Sequence, residues 1–324
     1  MRTKCPAIIR LLSHAVIAIV GLWSLSHGNE PLISRPWGSY HFDRSDWVSQ
    51  ADSLLPQVSA RLRDLLGESL RYVPDIYIEE SIDSFTARIG GRFPDWGAAA
   101  AIPLRKMMVL KSPDISPSDK SLAELISHEY AHLAVADRCG LYPPPRWFDE
   151  GMAMLVSSEW SWNDNLAMSK AAVFGDFIPL EEIEEVNRFN ESRAHVAYAQ
   201  SYRAVEYLTR QYGTGSLSLF LQTIALGQGA DSALVASIGS TEAGFQAELF
   251  DHLHTSYNIS TLFMDTIWLW LFLAALVVIG FVLQRIRKRR YENKWEREEL
   301  YQSTDFDYGS SPEEPDEDDE PWRR

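Results

Sequence analysis

Residues 262–284 set the strongest limit on how this chain can fold. Leu262 to Gln284 is 23 residues long, apolar all round and almost uncharged. That is enough to cross a bilayer as one helix, and a lone helix meets the membrane's demand that every backbone polar group be satisfied internally. Asp265 falls near one end, where an ionised group reaches the interface, and Trp268 and Trp270 suit the same boundary. Arg285, Arg287, Lys288, Arg289 and Arg290 follow directly, so the positive-inside rule puts this end in the cytoplasm and residues 29–261 outside it. The competing reading is a buried core helix, and both the length and the basic flank weigh against it.

The other end of the chain agrees. Arg2, Lys4 and Arg10 precede a short apolar run, Leu11 to Leu25, and Ser26-His27-Gly28 offers small residues for cleavage. Residues 1–28 therefore read as a signal peptide or, because the site is not Ala-x-Ala, an uncleaved signal anchor. Either way the following domain is exported. The expected address is a single-pass cell-membrane protein with a periplasmic or extracellular domain and a cytoplasmic tail over 285–324. That tail ends in Glu313, Glu314, Asp316, Glu317, Asp318, Asp319 and Glu320, a solvated acidic run.

A chain of 324 residues with 46% hydrophobic content can bury one sizeable core. Its net charge of −15 argues against a nucleic-acid partner. The two cysteines, Cys5 and Cys139, form no disulfide framework.

Between the two apolar segments the pattern is α/β first and helical afterwards. Ser45 to Leu66 has helical apolar spacing, with Gly67 as its stop. Asp75 to Glu79 alternates as a strand does, and Lys106 to Lys111 reads as a further strand. Gly97 to Pro103 is small-sided and bounded by Gly and Pro, which suits an edge strand. After a loop from Pro113 to Lys120, either Ser118 or Ser121 could cap the next helix. Ser121 is preferred because Glu124 completes a capping box. Three prolines, Pro143 to Pro145, stiffen the connection to a helix starting near Trp147. Residues 177–256 read as helices, including Val196–Tyr212, Gly215–Leu226 and Gly239–His252.

The chemistry concentrates in Leu122 to Ala136, which holds His128-Glu129-Tyr130-Ala131-His132. Leu122, Leu125, Ile126 and Leu133 recur at helical spacing, so the two histidines project from one face a turn apart. Such a pair can share one metal ion, and Glu129 can reach an activated water without being a ligand. Catalytic sites of this type use three protein ligands. Arg146-Trp147-Phe148-Asp149-Glu150-Gly151-Met152-Ala153 supplies a third in Glu150, 18 positions after His132. The small residues Gly151 and Ala153 are expected to let this helix pack closely against the histidine helix. Asp149 is either an outer partner of the site or a helix-start charge.

His-Glu-x-x-His followed by Trp147-Phe148-Asp149-Glu150-Gly151-Met152-Ala153 resembles the gluzincin zinc metallopeptidases. With Pro145-Arg146 and Tyr198-Ala199-Gln200-Ser201-Tyr202, it looks most like their peptidase MA-like domain family. The resemblance covers roughly residues 70–250. It implies an α+β, zincin-like fold: a small mixed sheet plus an active-site helix over 29–117 and onward, then a mostly helical subdomain within 118–256. It also implies one Zn2+ held by His128, His132 and Glu150, with Glu129 as general base and a tyrosine as donor to the oxyanion, Tyr202 being chosen over Tyr198. The aminopeptidase branch carries a glutamate in a Gly-x-Met-Glu-Asn strand, whereas Gly97 to Ala101 here has no acid. An endopeptidase acting on peptide or protein substrates is therefore expected over an aminopeptidase. The alternative is a catalytically silent zincin-fold membrane protein that binds or scaffolds.

Overall fold

The computed structural model describes residues 33–42, 44–90, 97–116 and 120–301. The N-terminal apolar segment, Ser118 and the acidic run of the tail lie outside the described residues. Contacts divide the chain into two units, one up to Asp265 and one from Thr266 onward.

In the first unit five strands form one mixed sheet, β1 (Ile33–Arg35), β2 (Gly38–Tyr40), β3 (Asp75–Glu79), β4 (Ala99–Ile102) and β5 (Met107–Lys111), in the order β1-β2-β3-β5-β4. The outer pairs are antiparallel and the two inner ones parallel. Side chains alternate across it as a period of two requires. Ile76, Ile78, Met108 and Leu110 join the main core. Met107 and Val109 face the other way and pack with Phe85 of helix α2 (Ile82–Ile89). Both faces of β5 are thus covered, so its five residues are all buried. The small-sided strand predicted at 97–103 is β4, at the open edge.

Helix α1 (Ser45–Leu66) ends at Gly67, whose φ of 80° supplies the left-handed turn that stops it. Asp52 on this helix accepts from Arg35 Nε (2.9 Å), Trp37 Nε1 (3.2 Å) and the Tyr40 hydroxyl (2.8 Å), tying the β1–β2 hairpin down. Helix α3 (Leu122–Cys139) starts at the expected capping box: Ser121 Oγ accepts from the Glu124 amide and Glu124 Oε2 accepts from the Ser121 amide. Helices α4 (Arg146–Ser157), α5 (Trp162–Phe174), α6 (Glu191–Tyr212), α7 (Thr214–Ala225), α8 (Ala230–Ile238) and α9 (Glu242–Ser256) follow, with a 3₁₀ segment at Leu180–Arg188.

Two boundaries differ from the sequence reading. Gly239, expected to open a helix, has φ of 74° and closes α8, while Thr241 caps α9 through the Gly244 amide. The apolar run from 262 is also divided: α10 (Ile259–Asp265) ends at a turn, and α11 (Ile267–Tyr301) begins five residues later than predicted and runs well past Gln284.

Helix α11 makes up the described second unit. It is long and apolar enough to cross a membrane, and none of its apolar window is buried by protein.

Candidate metal centre

Ile126, Tyr130, Leu133 and Ala134 fix one side of α3 in the core. His128 and His132, a turn apart, are left on the opposite side with ring centroids 4.8 Å apart. Helix α4 is anchored by its first aromatics. Trp147 and Phe148 are fully buried, Phe148 stacks on Phe220 of α7 at 4.5 Å, and Trp147 meets Phe245 of α9 at 5.7 Å. With that end fixed, Glu150 projects toward α3. Its Oε2 lies 3.5 Å from His128 Nε2 and 3.7 Å from His132 Nε2.

The three donor atoms all fall within 4.8 Å of one another. Metal–ligand bonds of about 2.0–2.2 Å put tetrahedral donors roughly 3.3–3.6 Å apart, so the spacing about Glu150 fits one ion. Donor type fits as well: two imidazoles and one carboxylate suit a borderline divalent metal. These residues could hold a metal ion.

The surrounding groups hold those donors in orientation. His128 Nδ1 bonds Glu159 Oε1 at 2.8 Å, and Glu159 Oε2 in turn accepts from Lys120. Asp149 Oδ1 lies 3.0 Å from His132 Nδ1, although the contact is off the line of a hydrogen bond. Carboxylates behind histidine ligands orient the rings and raise their basicity. Burial opposes charge on His128, but the hydrogen bonds to Glu150 and Glu159 outweigh it and raise its pKa to about 10.

Two carboxylates of this cluster are driven in opposite directions. Burial raises the pKa of Glu129, and neither histidine fully offsets it. Burial pushes Glu150 the same way, yet the His128 bond and the charges of His132 and Arg146 hold it near 2. Where environments push paired acids apart, one stays ionised and the other is suited to exchanging a proton. Glu129 also meets the backbone N–H of Ala101 on β4.

That contact follows from the register of the edge strand. The Lys111 amide donates to the Ala98 carbonyl and Ala99 pairs with Leu110, so the polar backbone groups of Ala99 and Ala101 point away from β5. Beside Glu129, the main-chain groups of Ala99 and the Ala101 carbonyl are thus turned away from β5, with alanine side chains at 98–101.

Of the two tyrosines, Tyr198 comes to the cluster. Burial raises its pKa to about 12, with the neighbouring Glu150 adding to the rise and the Arg146 guanidinium opposing it. The Tyr202 ring stacks instead on Trp160 at 4.7 Å, and Arg203 lies over that same Trp160 at 3.9 Å.

A family model of the Peptidase MA superfamily matches residues 57–254, a span that contains the whole cluster. The chain belongs to that superfamily. A search of curated proteins finds no match to the chain.

Two residues of this Peptidase MA domain were not legible from motif spacing. Glu159 reaches His128 because Ser158, with φ of 62°, reverses the chain just past α4. Arg61 of α1 holds that reversal by donating to the Val156 carbonyl (3.1 Å) and to Ser158 Oγ. Arg146, part of the Glu150 motif, forms an ion pair through Nη2 with Glu150 Oε1 at 2.7 Å.

The expected close packing at Gly151 is present but directed elsewhere. A Cβ there would fall on the Ser201 carbonyl and on Val205 Cγ2, so the glycine admits α6 and not the histidine helix. Gly151→Ala must push α6, and Tyr198 with it, off α4. The expected loss is about 1–3 kcal/mol or more, because backbone is the obstacle. Chemical denaturation would show it as a lowered midpoint. An unchanged midpoint would mean that α6 yields without cost.

Proposed function

We propose that this protein is a membrane-anchored zinc peptidase of the gluzincin type, hydrolysing peptide bonds outside the cytoplasm. The observation that carries the reading is the convergence of His128 Nε2, His132 Nε2 and Glu150 Oε2 beside a second carboxylate, Glu129, of opposite pKa shift. His128, His132 and Glu150 hold the ion. A zinc ion there supplies Lewis acidity, polarising a carbonyl and acidifying a water.

The chain's own groups do the rest. Glu129 takes a proton from the attacking water and delivers it to the leaving amine nitrogen. Tyr198 donates its O–H to the developing oxyanion. Ala99 and Ala101 offer main-chain groups to an extended peptide, which adds to β4 as a further strand. With no acid in Gly97 to Ala101 to hold a free amino terminus, the groove suits an internal segment, hence an endopeptidase. The peptidase domain spans 29–256, the membrane segment proposed from the sequence is 262–284, of which α11 supplies the part from Ile267, and 285–324 forms the cytoplasmic tail.

The direct test is elemental analysis of the purified full chain followed by a broad peptide-library digest. One zinc per chain and metal-dependent cleavage are expected, with activity lost to a chelator and restored by zinc. Absence of zinc would overturn the site, and zinc without cleavage would leave a binding protein. The orientation has its own test. A tag after Arg324 should resist protease added outside intact cells, because Arg285 to Arg290 holds that end in the cytoplasm. Digestion of the tag would reverse the topology.

A further inference from the structure

We infer that Arg146 is a positioning residue that keeps Glu150 a one-oxygen ligand. This rests on the zinc site proposed above. Glu150 is almost wholly buried and its two oxygens are used differently. Oε2 faces both histidine nitrogens, at 3.5 and 3.7 Å, while Oε1 forms an ion pair with Arg146 Nη2 at 2.7 Å. A carboxylate free at both oxygens can turn and chelate an ion bidentately, which fills the position a catalytic site leaves open. The Arg146 bond opposes that turn.

Three features suit Arg146 to the task. It is the first residue of α4, one helical turn before Glu150, so its side chain lies along the same face. Its backbone is fixed: the Arg146 amide donates to Glu184 Oε1 at 2.7 Å, and Pro145 precedes it. Its guanidinium also reaches the Tyr198 hydroxyl on α6, so a single planar group meets both a ligand and the oxyanion donor. An exposed i,i+4 ion pair on a helix would contribute little. This pair instead ends on a carboxylate side chain only 4% exposed, beside the ligand atoms themselves.

The test is zinc affinity of the metal-free full chain by chelator competition, together with the visible spectrum of the cobalt(II)-loaded protein. Arg146→Met keeps the apolar stem and removes the clamp. It is expected to weaken zinc binding about 10–100-fold, as loss of an outer partner does, and to move the cobalt spectrum from four- toward five-coordinate. Arg146→Lys keeps one charged donor and should restore affinity and spectrum but not turnover, because a single ammonium cannot also serve Tyr198. Arg146→Met with unchanged affinity and an unchanged cobalt spectrum would overturn the inference while leaving the zinc site standing. A wild-type chain that binds neither metal would remove both. If Arg146→Met does not fold, Arg146→Gln carries the same comparison.

Discussion

Glu129→Gln is expected to retain one zinc per chain and to lose peptide hydrolysis, with kcat down by about 10²–10⁴, the range general-base removal gives. The retention half follows from the geometry. The donor atoms that converge belong to His128, His132 and Glu150, and Glu129 is not among them. Glutamine keeps the shape of a side chain that is 7% exposed and can still accept from the Ala101 amide. What it lacks is a site for the proton. The loss half therefore isolates proton transfer from binding, which Glu129→Ala, with its cavity, would do less cleanly. Metal content and turnover must be measured on the same preparation. Wild-type turnover in the variant would sink the general-base role, and loss of zinc would show that Glu129 belongs with the ligands.

How far such a site can be read without a fold depends on how local its causes are. The capping box at Ser121 and Glu124, the stop at Gly67 and the His128–His132 pair are set within one or two turns of chain, and all appear at the predicted positions. Strands β1 and β2, three residues each, are too short to show an alternation, and α2 and α5 carry too little length or periodicity to be read as helices. Gly151 illustrates the harder limit. Its smallness forecasts a close neighbour, but which neighbour is a tertiary fact, and it proved to be α6. Glu159 has no spacing rule at all, since a left-handed Ser158 brings it to His128. The superfamily match covers residues 57–254 and so does not bear on β1, β2 or the apolar helix α11.

Tyr198→Phe is expected to lower kcat by about 10²–10³, the cost of one oxyanion donor, roughly 2.7–4 kcal/mol. Tyr202→Phe should leave kcat within about twofold, as substitutions away from the chemistry do. One turn of α6 separates these residues, and the sequence reading prefers Tyr202; their neighbours favour Tyr198 instead. Tyr198 feels Glu150, Arg146 and Glu129. Tyr202 feels Glu206, Arg203 and Arg61, and its ring is committed to Trp160. Phenylalanine preserves that stacking, so a fall in stability would not confuse the comparison. Zinc content should match wild type in both variants, because neither hydroxyl belongs to the donor cluster. A strong effect at Tyr202 with none at Tyr198 would require α6 to slide by about one turn, roughly 6 Å along its axis. Gly151 resists that slide, since its missing side chain is what seats Ser201 and Val205 against α4.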